Sequence, residues 1–286
     1  MSGYTLREYR AEDIPALKAL WLACFDDTPR FVDEFFAALP AIGGGVVAEG
    51  EGEILGAAYT IDALELVSGG AVAAKVGYIY GVGVYEAARG QGIGAALDRA
   101  VYGLSRARGA EIITTLPAED SLYGWYEDIL GVKAALCCES RVYDCAARDK
   151  AYAGVARISA AEYGAARESM LSDTPHIRLS PAALEFEETL LSEYGGGLYA
   201  VGGGIAAGCM EDGRAVIKEL LLPAVGADVP GTQGARESAA QGAACAVGAA
   251  MGAGAVVLLT PAEHGEKYIA ADAALPAGCI WNLSFD

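Results

Sequence analysis

Three glycines recur at every second position in ARGQGIGAAL, residues 88–97, where Gly90, Gly92 and Gly94 lead into an apolar, alanine-rich run. The first turn of a helix carries free backbone N–H groups and the positive end of its dipole, so an anion binds there when no Cβ blocks the approach. The chemistry this spacing supports is capture of a phosphate-bearing ligand; the plain alternative is a turn that packs a helix closely on a strand. Two ligands fit the glycines taken alone, a dinucleotide and coenzyme A. Gly90-x-Gly92-x-x-Ala95 satisfies a loose dinucleotide fingerprint. Its surroundings do not: Tyr85 to Arg89 separate it from the preceding strand, and Glu111 begins the next strand where the ribose-binding carboxylate should end it. No Gly-Lys-Ser/Thr follows, which excludes a triphosphate P-loop.

Other reactive side chains are sparse. The histidines, His176 and His264, both fall in the second half, and a surface-loop setting suits each. The seven cysteines include no C-x-x-C pair; Cys137 and Cys138 are adjacent, and Cys24, Cys209, Cys245 and Cys279 sit among apolar residues. Reduced, buried thiols of a cytoplasmic protein are the expectation, with no metal site.

The elements that must hold the glycines follow from hydrophobic period. EDIPALKALWLACF places Ile14, Leu17, Leu20, Trp21, Cys24 and Phe25 at helical spacing, with Asp13 as N-cap and Pro15 in the first turn. FVDEFFAAL continues as a second helix. Residues 43–67 read as a hairpin turning at GEGE, KVGYIYGVGV as a strand, and residues 92–109 as a helix closed by Gly109. EIITTL is a strand, SLYGWYEDIL a short helix and AALCCESRVYD a closing strand.

The second half repeats this order. At a shift of 152, Gly43, Gly44, Gly45, Ala48, Gly50, Gly52 and Gly56 meet Gly195, Gly196, Gly197, Ala200, Gly202, Gly204 and Gly208. At a shift of 144, Pro117-Ala118-Glu119 meets Pro261-Ala262-Glu263. Two copies of one module are expected, divided within YDCAARDKAYAGVARIS, as residues 1–147 and 148–286.

Composition limits the partners. The net charge is −18, which repels nucleic acid and anionic membrane surfaces. Residues 242–260 carry no charge, but their small residues and the Gly-Ala-Gly break at 252–254 favour a helix followed by a buried strand over a membrane span.

YIYGVGVYEAARGQGIGAAL resembles the acetyl-CoA-binding segment of the GNAT superfamily of N-acetyltransferases, in which a strand, a short connector and R/Q-x-x-G-x-G/A open a helix. Here that pattern is Arg89-Gly90-Gln91-Gly92-Ile93-Gly94, and the ααβββαβαβ order of residues 1–145 is similar too. The resemblance implies an α/β (α+β) fold of two GNAT-like modules, each a mixed, mostly antiparallel sheet flanked by helices. It implies acetyl-CoA (coenzyme A) as cosubstrate, with Val82, Gly83 and Val84 against the pantetheine arm. Arg89, Gly90, Gln91, Gly92, Ile93, Gly94 and Ala95 would then cradle the pyrophosphate. The family often has proline where this chain has Glu86, which sets a carboxylate near a polyanion.

WYEDILGV is similar to the family's segment that carries an acidic tyrosine, which makes Tyr126 the catalytic acid and Tyr123, one turn earlier, its alternate. A phenol near pKa 10 can protonate a thiolate whose side-chain analogue lies near 8.5. Packing on the sheet is the other use of Trp125 and Tyr126. The implied reaction is direct attack of a primary amine, of a small molecule or peptide, on acetyl-CoA. A non-catalytic acetyl-CoA-binding module and an NAD-binding enzyme are the alternatives.

Asp26 and Asp27 are candidates for attracting a cationic amine. In the second copy the glycine loop maps onto QGARES, residues 233–238, where Arg236 and Ser238 replace Gly92 and Gly94, and Tyr126 maps onto Ala270. That copy is expected to be degenerate, with a structural or substrate-groove role. The protein is expected to act as a monomer or homodimer.

Overall fold

The computed structural model describes residues 3–145, 154–223 and 232–285. The chain begins with β1 (Thr5–Glu8), a 3-10 turn, α1 (Ile14–Cys24), α2 (Pro29–Ile42), β2 (Gly43–Gly50), β3 (Glu53–Ser68) and β4 (Ala71–Val84). Next come α3 (Ile93–Ala107), β5 (Ile112–Thr115), α4 (Asp120–Leu130) and β6 (Lys133–Asp144). The later elements are β7 (Ala156–Arg157), α5 (Ala160–Met170), β8 (His176–Leu179), α6 (Pro181–Glu193), β9 (Gly197–Val201), β10 (Gly204–Glu211) and β11 (Arg214–Leu221). They finish with α7 (Thr232–Ala250), β12 (Ala255–Ala262) and β13 (Glu266–Ala271).

Two compact units form, and not from one cut. The first gathers Met1–Cys137, Ile177–Ala183 and Lys267–Ala277; the second holds Cys138–His176, Leu184–Glu266 and Gly278–Asp286. The boundary expected at 147/148 lies outside the described residues, and the chain changes units ten residues earlier, within β6. Strand pairing is made by backbone groups that every sequence carries, so composition does not show which sheet a strand joins.

In the first unit the strand order is β1-β2-β3-β4-β5-β13, with β8 paired to β3. β4 and β5 run parallel, and β2–β3, β3–β4 and β5–β13 antiparallel. β1 escapes the hydrophobic reading because Leu6 is the single apolar residue of TLRE. Its place is set by the ladder from Thr5–Glu49 to Glu8–Val46 and by Arg7, which pairs with Glu49 and Asp13, each at 2.6 Å. Asp13 holds the N-cap position of α1, as expected, but its side chain makes no capping bond: the carboxylate accepts instead from Arg7 and from the Arg10 N–H at 2.7 Å.

The core explains why α3 lies where it does. Ile93, Leu97 and Val101 recur at helical spacing and bury against Val46, Ala58, Ile79 and Ile113 of the sheet. On the other face Trp21 meets Phe35, Tyr59 and Tyr80 at ring-centroid distances of 4.6, 5.5 and 5.8 Å.

The second unit repeats the scheme with strand order β6-β12-β11-β10-β9-β7, where β11 and β12 are parallel. β9-β10-β11-α7-β12 follows the order β2-β3-β4-α3-β5, as the glycine match predicts. The uncharged run 242–260 is the end of α7 followed by β12, and no helix among the described residues is long and apolar enough to cross a membrane.

One expectation fails here. Cys145 and Cys245 are joined in a disulfide, with Cα atoms 5.2 Å apart, so these two are not reduced thiols. The partners stand 100 residues apart in sequence, too far for spacing to reveal. Cys24, Cys137, Cys138, Cys209 and Cys279 form no disulfide. Thiol titration of the denatured protein should count five groups without reductant and seven with it. Reduction should cost the second unit about 2–4 kcal/mol, read by denaturant unfolding.

Candidate functional site

The site is built where β4 loses its neighbour. β4 pairs with β5 from Val76–Ile112 to Ile79–Thr115 and no further, so Tyr80–Val84 present an edge with no β5 partner. After Val84 a 3-10 turn at Glu86–Ala88 leads to Arg89, whose Nε donates to the Val84 carbonyl at 3.1 Å and ties the loop to the strand end. Gly90 and Gly92 have φ of +78° and +76°, a left-handed backbone that side chains resist. Gly92 is the N-cap of α3, and the first bond of the helix runs from the Ala96 N–H to its carbonyl at 3.1 Å. The N–H groups of Ile93, Gly94 and Ala95 therefore precede the helical ladder and face outward as donors. No side chain caps them, and the first turn holds no acid. A Cβ at Gly94 would meet nothing within 4 Å, so its side of the loop is open as well.

These donors line a cleft of about 960 Å³. Val82, Gly83, Val84, Arg89, Gly90, Gly92, Ile93, Gly94 and Ala95 all line it, and so does Tyr126. Gln91 does not. It lines a separate depression with Tyr85 and Glu86, which also takes the Glu86 carboxylate away from the cleft lining.

The two tyrosines part company. Both are about 8% exposed, but the Tyr123 hydroxyl donates to the Tyr268 carbonyl at 3.1 Å, and Tyr123 is not among the cleft residues. Burial, and then the Asp98 carboxylate, push the Tyr126 phenol well above its usual range, while the Thr115 hydroxyl works the other way. Such a phenol stays protonated at every ordinary pH and is suited to give a proton, not to take one.

Cys24, Phe25, Glu119, Leu122 and Trp125 also line the cleft, and none of them stood out in sequence as a site residue. Cys24 and Phe25 reach it because α1 ends beside β4, a tertiary accident of length. Burial raises the Cys24 thiol, against the nearby Arg89 guanidinium, so it is a poor nucleophile. Asp27 is engaged elsewhere, accepting from the Trp21 indole N–H at 2.8 Å. Asp98 was missed as well, although an acid beside Leu97 on the apolar face of α3 is a readable signal.

Residues 5–127 match the family described as the acetyltransferase (GNAT) domain, a span that includes the glycine loop and Tyr126. Residues 5–127 are a GNAT domain. No curated protein matches the sequence. Among solved structures, a GCN5-related N-acetyltransferase from Kribbella flavida is similar at 16% identity and a TM-score of 0.67, over 94% of this chain and 71% of that one. A conserved protein of unknown function from Enterococcus faecalis V583 is similar at 14% identity and 0.66, over 94% and 72%. A GCN5-related N-acetyltransferase from Sphaerobacter thermophilus matches at 14% identity and 0.54, over 96% and 97%. At such identities the likeness is one of fold.

In the second unit QGARES is not a loop: it lies within the first turns of α7, with Gly234 inside the helix. Ala270, matched to Tyr126 by spacing, is in strand β13 and packs beside Tyr123 and Tyr126 themselves. The second copy thus has no α4 between β12 and β13.

Proposed function

We propose that the GNAT domain moves an acetyl group from acetyl-CoA to a primary amine of a small molecule or peptide, by direct attack. The observation that carries this reading is the single cleft that joins three kinds of group: the helix-start donors of α3, the open edge of β4 and the Tyr126 hydroxyl. Arg89 and the N–H groups of residues 92–95 would hold the pyrophosphate. The β4 edge at Val82–Val84 would pair with the amides of the pantetheine arm as an added strand does. An N–H of that edge, Val82 or Val84, is the donor for the carbonyl oxygen as charge develops on it. Tyr126 would protonate the departing thiolate. Glu119 supplies the negative charge in the cleft that draws a cationic amine in, and the amine proton leaves to water. In the second unit Arg236 and Ser238 stand inside α7, which supports a role without acetyl-CoA of its own.

Coenzyme A, and not NAD, should raise the melting temperature, and acetyl-CoA with a panel of amines should release free thiol. In Gly92→Val the φ of +76° becomes strained and a branched side chain enters the anion's approach, so the coenzyme A shift should vanish. Stabilisation by NAD alone overturns the cofactor assignment. Stabilisation by coenzyme A without thiol release from any amine reduces the site to a binding module.

A further inference from the structure

Arg157 of β7 is held in place by the second unit and left without an acid. It stands opposite Tyr199 in the β7–β9 pair, and its guanidinium carbon lies 5.9 Å from the centre of that ring. Its Nη2 donates to the Ser192 hydroxyl at 3.3 Å. Gly197 completes the seat, because a Cβ there would collide with the guanidinium. No carboxylate pairs with Arg157 among the described residues, although the chain has 38 Asp and Glu to 20 Lys and Arg.

The internal repeat supplies a comparison within the molecule. Gly44 and Gly45 meet Gly196 and Gly197 at the shift of 152. In the first unit a Cβ at Gly44 would come within 3.1 Å of the Arg108 guanidinium, which pairs with Asp62 at 2.9 Å and donates to the Gly43 carbonyl at 2.8 Å. The second unit keeps an arginine against these glycines and omits the acid. Its guanidinium is exposed, so water hydrates it while it stands unpaired.

Arg157 and Ser192 open into a depression of about 420 Å³. Its apolar wall is Val155, Tyr199 and Met251, all packed on the core of the second unit. The C-terminal ends of α6 and α7 reach it at Ser192 and Ala250 and bring the negative ends of their dipoles. The N–H groups of Gly195 and Gly196 are engaged by the Ser192 and Leu191 carbonyls, at 3.2 and 2.7 Å. One cationic fork and one hydroxyl therefore stand in a field that disfavours a second negative charge. That combination suits a carboxylate, which a guanidinium grips through two parallel N–H bonds, better than a phosphate dianion.

We propose that this depression binds a small organic acid, a monocarboxylate with an apolar body of a few carbons. Arg157 takes the carboxylate. The Ser192 hydroxyl, which accepts from Arg157, donates its own hydrogen to the same group, and the apolar body lies against Val155, Tyr199 and Met251. The second unit thereby has a ligand of its own, independent of the acetyl-transfer reading of the first.

The test titrates hexanoate into the full chain while the backbone amide signals of Gly195, Gly196 and Tyr199 are followed by NMR. These signals should shift saturably, with a dissociation constant in the millimolar range or below. Hexanamide, which has the same body without the charge, should leave them in place, and inorganic phosphate should bind more weakly than hexanoate. In Arg157→Gln, at an exposed position outside the core, affinity for hexanoate should fall about tenfold or more. Arg157→Lys keeps the charge and loses the fork, so it should recover only part of that loss. Equal binding of hexanamide and hexanoate, or unchanged affinity in Arg157→Gln, overturns the site. Phosphate bound more tightly than hexanoate overturns the carboxylate assignment. Absence of any saturable shift overturns the proposal and leaves Arg157 as a cation at two helix ends.

Discussion

Tyr126→Phe is expected to lower kcat for acetyl transfer by about 10²-fold or more, with acetyl-CoA affinity changed by no more than about twofold. The substitution removes one oxygen and leaves the ring, so the packing of α4 around Tyr123, Tyr126, Val132 and Ala270 survives. What is lost is the only hydroxyl of a tyrosine in the cleft lining. Because burial and Asp98 raise the phenol's pKa, wild-type Tyr126 is protonated across the whole working range, so the defect should be present at every pH. Single-turnover kinetics at several pH values check this. An unchanged kcat would return Tyr126 to a packing role.

The second large effect is one of stability. The Asp98 carboxyl is held up to about 7 in the folded protein and titrates near 3.9 when unfolded. The folded state therefore favours the proton. Stability from this group is fully present below about pH 4 and is lost as pH rises through 7, because the unfolded chain gives the proton up first. The difference of about three pH units corresponds to roughly 4 kcal/mol at 1.36 kcal/mol per unit. Asp98→Asn carries no such charge, so its unfolding free energy should gain on wild type by several kcal/mol between pH 4 and 8. Urea unfolding at fixed pH steps measures the gap. A gap that does not change with pH would mean that Asp98 is charged throughout and is paired in some other way.

The comparison of sequence with structure is most informative at individual residues. Gly90 and Gly92 stood out by type and spacing, and both adopt the left-handed backbone that glycine accepts most readily, with φ of +78° and +76°. The helices and the strands of the hairpins were legible because burial on one face imposes a period on side chains. β1 was not, since an edge strand with exposed side chains, such as TLRE, leaves no such period. Gln91 matches the motif as well as its neighbours do, yet the turn directs it away from the cleft, because consecutive loop residues face different ways. Tyr123 and Tyr126 are equivalent by type; what separates them is that one hydroxyl finds the Tyr268 carbonyl and the other a cleft.

The sequence by itself pointed to the family of the first half, which the match over residues 5–127 bears out, because residue type at short spacing carries it. Tertiary structure decided the rest. It joined Cys145 to Cys245 across 100 residues, gave Lys267–Ala277 to the first unit, and buried Asp98 on α3 with no hydrogen-bond partner among the described residues. Each of these depends on which distant segments pack together, and local spacing records no information about which distant groups the folded backbone will bring together.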